Sequence, residues 1–289
     1  MEVYHIISNP VAGKDKAKKS LESVKAVFLR AGKQVETHIS ACPGDAMRIA
    51  RELTEKGESN IIAHGGDGTL HEVLNGLSDP SACHLGLIPA GTGNDFAEKL
   101  GIPNDVEKAA ELILQAEPKP VDYLQVDNVR CMNVGGIGID VDVLERCKKG
   151  KFKGKAKYVL SLVKSLFAYK GCKVRVESDG VEEERDVLLA AFCNGSYFGG
   201  GIQICPVADV SDGKLNVMLV DCLGGVIKIV KAFITLMKGK AMEYPNKLHF
   251  LCDKLQITPV EPCAAQLDGE IYKGLNLCVS VKQGLKFYY

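Results

Sequence analysis

This chain has no tryptophan, no net charge and no apolar run near the length of a membrane span. Each absence removes a class. A spanning helix needs about 20 apolar residues, and no stretch approaches that. Basic and acidic residues balance at 36 each, so no global field draws the chain to nucleic acid, and no nucleic-acid partner is expected. The 11 cysteines never form a C-x-x-C pair, and their number is odd. Scattered through apolar runs such as Leu189–Cys193 and Leu277–Val281, they read as buried free thiols of a reducing cytoplasm rather than disulfides or zinc ligands. The opening MEVYHIISNP has neither a basic n-region nor more than a short apolar run, so it does not read as a signal peptide. A Walker A loop, which needs G-x4-G-K-[ST], is also missing. What is present is a chain of 289 residues, 46% hydrophobic and 25% charged, with the composition of a soluble globular protein and room for two domains or one large one.

Its most informative stretch is NIIAHGGDGTLHEVLNGL, Asn60 to Leu77. Ile61–Ala63 reads as the end of a buried strand, Gly65-Gly66-Asp67-Gly68 as a sharp turn, and Thr69–Leu77 as a helix with its stripe at Leu70, Val73, Leu74 and Leu77. Three glycines in four residues permit positive φ and remove the Cβ atoms that block close approach. Bare N–H groups at a helix start favour an anion. Asp67 would repel a phosphate unless it holds a metal, takes a proton or orients a group, so the loop is read as an ATP-phosphate site with Asp67 involved in transfer. A plain glycine-rich turn is the bland alternative.

Strand, loop and helix alternate from Val3 to Gln115, which predicts a parallel sheet covered by helices on both faces. The expected strands are Val3–Ser8, Gln34–Ile39, Ile61–Ala63 and His84–Pro89. The first helix has its stripe at Ala17, Leu21, Val24 and Val27/Phe28, and Asp45 is the expected cap of the second, Ala46–Lys56. Past Pro118-Lys119-Pro120 the runs become short and strand-like, as in an antiparallel sandwich: Val121–Val126, Cys131–Val134, Cys172–Glu177, Val187–Asn194, Leu215–Val220, Leu255–Pro259, Leu275–Val281 and Leu285–Tyr289. Helical patterns interrupt them at Tyr158–Tyr169 and Val226–Lys238. The boundary falls near 121: residues 1–121 as the α/β domain, 122–282 as a sandwich, with the last strand, about 283–289, a candidate to return to the first domain.

Six clusters carry the remaining signal: Asn9–Gly13 as NP-x-x-G, Gly65–Thr69 as GGDGT, Pro89–Phe96 as P-x-GT-x-ND-F, Gly199–Gly201, Asp212–Leu215 as DG-x-L, and Leu267–Glu270 as LDGE. In this order, over nearly the whole chain, they resemble the diacylglycerol kinase catalytic-domain family, specifically soluble bacterial lipid kinases related to sphingosine and ceramide kinases. GGDGT alone is less specific, since NAD kinases carry a related loop. The resemblance implies an N-terminal α/β domain like that of NAD kinase and 6-phosphofructokinase, a C-terminal antiparallel β-sandwich, and ATP in the cleft between them.

Carried over by position, Asn9, Pro10, Gly13, Ser40 and Thr92 would line the nucleotide site, and Gly65, Gly66, Asp67, Gly68, Thr69, Leu70, His71 and Glu72 would hold the phosphates. Ser40 stands where the family often has Thr, and His71 where it usually has Asn, which leaves the contact of His71 open between the nucleotide and a partly exposed helix position. The resemblance implies Glu270 as the base that takes the proton of the lipid hydroxyl as it attacks the γ-phosphorus. From composition alone, Asp268-Gly269-Glu270 would read as a hairpin turn with a solvated glutamate. Asp67 and Asp122 would sit near a phosphate-bridging Mg²⁺. A second, structural Mg²⁺ is implied at Asp209-Val210-Ser211-Asp212-Gly213-Lys214, held by Asp212 with the carbonyls of Asp209 and Lys214; a metal-free polar hairpin is the alternative.

The acceptor expected first is diacylglycerol, giving phosphatidic acid. Phosphatidylglycerol, a sphingoid base, a polyprenol or, for an NAD kinase-like enzyme, a soluble acceptor are the rivals, as is a nucleotide-binding regulator without turnover. A lipid acceptor implies work at the inner face of the membrane by a cytoplasmic, peripheral protein, with a homodimer as an option. Two segments suit that surface: CKKGKFKGKAKY (Cys147–Tyr158), with six lysines and no acid, and the apolar Val226–Lys238 with Lys228, Lys231 and Lys238. A solvated loop and a core helix with a basic outer face are the plainer readings of these two.

Overall fold

The chain is described from a computed structural model covering residues 2–149, 164–165, 168–222 and 225–289. Alternation runs as β1 (Val3–Ser8), α1 (Lys16–Arg30), β2 (Gln34–Ile39), α2 (Asp45–Glu55), β3 (Asn60–Gly65), α3 (Asp67–Gly76), β4 (His84–Pro89), α4 (Asp95–Leu100) and α5 (Val106–Gln115). Every pairing among β1 to β4 is parallel, in the order β4-β3-β1-β2. The three inner strands carry near-continuous buried runs, as a sheet covered on both faces requires. The predicted stripe of α1 is buried throughout, with Val24 and Phe28 fully inaccessible.

Beyond Lys119 the strands are β5 (Lys119–Val126), β6 (Val129–Cys131), β7 (Val134–Gly138), β8 (Cys172–Ser178), β9 (Val181–Cys193), β10 (Tyr197–Phe198), β11 (Ile202–Gln203), β12 (Leu215–Asp221), β13 (Lys247–Cys252), β14 (Lys254–Pro259), β15 (Ala264–Leu267), β16 (Glu270–Lys273) and β17 (Leu277–Phe287). Two helices accompany them, α6 (Ile139–Lys149) and α7 (Val226–Met237). Pairings among these strands are antiparallel. They enclose a second core around Phe192, Leu215, Leu255 and Val279, and a third, around Leu189, Met218 and Ile229, lies under α7.

The two final strand runs are one strand, β17. Its ladder with β5 slips between Lys282 and Leu285, where Gly284 has φ 104°. After that slip Lys286 and Phe287 pair in parallel with His84 and Leu85 of β4. Leu285, Phe287 and Tyr288 thereby join the core of the parallel sheet, and Tyr288 Oη donates to Asn60 Oδ1 at 2.7 Å. The expected strand Cys131–Val134 is broken at Met132-Asn133, because the N–H groups of both turn aside to the Asp268 carboxylate, at 2.9 and 2.8 Å. Asp45 is not the cap of α2 but its first residue. Gly44, at φ 85°, precedes it, and the donors Gly44 N and Ala46 N are met by Glu72 of α3, at 2.9 and 3.2 Å.

All 11 cysteines are free thiols. The expectation that they are buried fails for Cys42, Cys263 and Cys278, which are exposed, and holds only in part for the half-buried Cys147, Cys172 and Cys222. The proposed helix Tyr158–Tyr169 and nearly all of the lysine run lie outside the described residues.

Candidate active site

The glycine loops after β3 and β4 meet edge to edge. At Gly65, Gly66 and Gly68 the backbone does not adopt positive φ, so the conformational half of the expectation is wrong. The glycines serve close approach instead. A Cβ on Gly66 would stand 3.0 Å from Gly91 Cα, and one on Gly91 would stand 2.4 Å from Gly66 Cα. Asp67 ties the same loops together, since Oδ1 accepts the Phe96 N–H at 3.2 Å at the start of α4. Burial raises the Asp67 carboxyl above its ordinary range against the pull of the Phe96, Asp95 and Asn94 N–H groups.

Positive φ is needed at Gly199-Gly200-Gly201, with φ 66°, 83° and 106°. This run reaches back to α4, where Asp95 accepts Gly200 N at 2.9 Å and Gly201 N at 2.7 Å. Burial pushes the Asp95 carboxyl up to about 6, with Asp67 as a neighbouring like charge. In the sequence Asp95 stands out only as part of the Pro89–Phe96 cluster. Its signal was the pairing of Asn94-Asp95 with a triple-glycine loop far along the chain.

Between these walls opens a cavity of about 940 Å³. Asn9, Pro10, Ser40, Gly66, Asp67, Gly68, Thr69, Glu72, Thr92 and Glu270 all border it. Asn9 Nδ2 donates to Thr69 Oγ1 at 3.2 Å, and Ser40 Oγ to the Ser8 carbonyl at 3.4 Å. The second domain adds the apolar side chains of Val134, Leu144, Tyr197 and Phe198. Glu270 reaches this cavity from a two-residue hairpin between β15 and β16. Asp268 and Gly269 both have positive φ, 52° and 86°, as a primed turn requires. The Glu270 carboxylate lies at the cavity wall beside the start of α3, with Oε1 3.7 Å from where a Gly68 Cβ would be.

Several expected contacts fall elsewhere. Gly13, at φ 57°, packs under the Ala90 carbonyl, and Gly65 ends β3 behind the cavity wall. The side chain of Leu70 is in the core. His71 is neither at the cavity nor partly exposed. It is 2% exposed, with Nδ1 2.8 Å from Asp268 Oδ2 and Nε2 2.6 Å from Tyr272 Oη. It therefore fastens α3 to the β15–β16 hairpin. Both oxygens of Glu72 are occupied by the start of α2, although the residue borders the cavity.

Asp268, read only as part of a turn, is the buried anchor of Glu270. Burial alone would raise its carboxyl, but His71 and the Met132 and Asn133 N–H groups outweigh that and hold it below the usual carboxylate range. Asp140 was not singled out at all. It borders the cavity from the start of α6, is buried, and among the described residues neither oxygen finds a well-aligned hydrogen-bond partner. Burial pushes its carboxyl up to about 6.

Asp122 does not belong to the cavity. Its Oδ2 accepts Gly213 N at 2.7 Å, and its N–H donates to the Val210 carbonyl. Burial, then the Asp212 and Asp209 charges, raise its carboxyl. Asp209 accepts from Ser211, Asp212 accepts Lys214 N, and Lys214 Nζ is paired with Asp253 at 2.7 Å. Asp209 and Asp212 stand on one turn beside Asp122 of β5, and carboxylate oxygens of this kind are the donors a hard divalent cation takes.

The comparisons agree with this geometry. The diacylglycerol kinase catalytic domain matches residues 3–126, and the YegS C-terminal NAD kinase beta sandwich-like domain matches residues 133–285. A diacylglycerol kinase of Bacillus subtilis is 30% identical over 95% of this chain and 91% of its own. A "Probable lipid kinase YegS-like" of Cronobacter sakazakii is 30% identical over 88% of this chain and 85% of its own. The crystal structure of a diacylglycerol kinase from Bacillus anthracis is 29% identical and superposes with a TM-score of 0.80, covering 100% of this chain and 96% of that one. Two glycine loops, a triple-glycine brace and a hairpin glutamate facing one cavity are thus found together with full-length similarity, and the chain belongs to the diacylglycerol kinase catalytic-domain family of lipid kinases.

Proposed function

We propose that the chain transfers the γ-phosphoryl group of ATP to a lipid hydroxyl, with diacylglycerol as the acceptor and phosphatidic acid as the product. The observation that carries this reading is the placement of Glu270 beside the start of α3, in one cavity with Asp67, Thr69 and Asn9. Bare N–H groups at the start of α3 offer an anion site on the glycine-loop side. Val134, Leu144, Tyr197 and Phe198 offer an apolar bed for the acceptor on the other. Glu270 takes the hydroxyl proton as the new O–P bond forms and ADP leaves.

Asp67 would hold the phosphate-associated Mg²⁺ through its cavity-facing oxygen, while Asp212, Asp209 and Asp122, with the Asp209 and Lys214 carbonyls, would hold a structural one. When bound, the first neutralises phosphate charge and the second offsets carboxylate repulsion.

Association with the surface that holds the substrate is part of the same reading. Among the described residues no helix is long and apolar enough to cross a membrane. Helix α7 buries Ile229, Ala232 and Leu236 against the third core, yet leaves Ile227 at 74% and Ile234 at 47% exposure among Lys228, Lys231 and Lys238. Apolar tips ringed by lysine suit an anionic headgroup layer.

The deciding experiment is a phosphotransfer assay with labelled ATP and a lipid panel, resolved by thin-layer chromatography. Label in phosphatidic acid supports the proposal. Label only in phosphatidylglycerol, sphingoid base or polyprenol products moves the acceptor. Label in no lipid overturns it.

A further inference from the structure

A second cluster of coordinating side chains lies away from the cavity, on β1 and its neighbour β2, the strand that ends the sheet. His5 pairs in register with Glu36 and Ile7 with His38, so His5, Glu36 and His38 share one face of the β1–β2 ladder. His5 Nδ1 lies 3.2 Å from His38 Nε2 and 3.7 Å from Glu36 Oε2. One ligand atom from each of the three residues falls within 4.8 Å of the others. Ligand atoms that share a tetrahedral zinc ion at about 2.0–2.1 Å stand about 3.3 Å apart, which these separations approach.

The surroundings favour a cation as well. His5 is 3% exposed, and its second nitrogen, Nε2, lies 2.9 Å from Glu58 Oε2, although this contact is not aligned as a hydrogen bond. A carboxylate on the far nitrogen is what fixes the tautomer of a metal-ligating imidazole. Lys56 is the opposing nearby charge, against the two carboxylates of Glu36 and Glu58. Glu36 is exposed, so an ion could enter from solvent and keep water in a fourth position.

The geometry points to a binding site for a borderline-soft divalent cation of the zinc class, ligated by His5 Nδ1, His38 Nε2 and Glu36, with Glu58 orienting His5. The imidazole pair separates it from any hard-oxygen magnesium site. It does not depend on the phosphotransfer reading, because none of the four residues borders the cavity.

The test is calorimetric titration of the full chain with Zn²⁺ in chelator-treated buffer containing excess Mg²⁺. One equivalent is expected to bind. Affinity should fall at least a hundredfold in H38Q and in E36Q, and about 10–100-fold in E58Q. C263S, at an exposed cysteine, should bind as the parent does. Zinc should raise the melting temperature of the parent but not of E36Q, whose position is exposed and whose metal-free melting reports an intact fold. Long-range ¹H–¹⁵N spectra should show the His5 Nδ1 and His38 Nε2 signals moving together on zinc addition. Unchanged affinity in H38Q and E36Q would place the ion on thiols elsewhere and overturn the proposal. Absence of zinc binding would reveal a hydrogen-bonded histidine pair only, and would overturn it equally.

Discussion

Glu270 and Asp268 are two residues apart and do opposite jobs. Asp268 is buried under the hydrogen bonds of His71, Met132 and Asn133, while Glu270 faces the cavity. Glu270→Gln should cut turnover by about a hundred- to ten-thousand-fold with ATP affinity retained, measured by single-turnover phosphotransfer and by nucleotide titration. Full turnover in that variant would remove it as the base. Asp268→Asn should act on stability. Its folded pKa is depressed, so the stabilisation it supplies is present above the ordinary carboxylate range and is lost as pH falls through the folded value. The variant should melt lower at neutral pH, by about 3–5 kcal/mol, and lose the acid-dependent part of its stability curve. Asp140 has the reverse sign. Its folded pKa is raised from 3.8 to about 6, so the native state loses stability as pH rises across that window. Asp140→Asn should therefore be the more stable protein above pH 6, by at most about 3 kcal/mol, with a flatter profile between pH 4 and 6 in chemical denaturation.

At the scale of elements, the cavity depends on how closely β3–α3 and β4–α4 approach. Gly91→Ala would place a methyl 2.4 Å from Gly66 Cα and 2.7 Å from Asn94 Oδ1, both in rigid surroundings. The loops would have to separate, at a cost of about 1–3 kcal/mol, and Asp67 would lose its seat on α4. Denaturant midpoints and nucleotide affinity should fall together. A variant that bound nucleotide normally would show that the contact of the two loops is not what shapes the site. Glu72 illustrates the same dependence, because a residue expected to bind phosphate caps α2 instead. Helix α3 can present its N-terminus to the cavity only while its other faces hold α2 and the β15–β16 hairpin.

Considered whole, the molecule joins its two domains by β17, by Asp95 on the glycine brace and by His71 on the hairpin. The glycine loops and Glu270 thereby face each other with little freedom to drift. The outer face of α7 is where this rigid body would meet a lipid surface. Ile227→Asp and Ile234→Asp should each weaken vesicle binding about tenfold, since immersing an isoleucine fully is worth about 1.5–3 kcal/mol and headgroup immersion is partial. Turnover of a short-chain, water-soluble diacylglycerol should be unaffected. Equal binding of parent and variants to anionic vesicles in a flotation assay would exclude this face.

Much of this architecture was legible in the residues. Strand–helix alternation up to Gln115, the change of character after Pro120 and the order of six motifs follow from local patterns that a chain carries in its own spacing. The cavity loops were legible for the same reason, since glycine clusters mark backbone approach wherever they occur. What only the folded chain decided involves partners far apart in sequence: His71 with Asp268, Asp95 with Gly200, Asp122 with the Gly213 turn, and β17 with β4. No period or propensity encodes which buried carboxylate an imidazole will meet. Desolvation makes each such pairing obligatory once the elements pack, and packing alone chooses the partner.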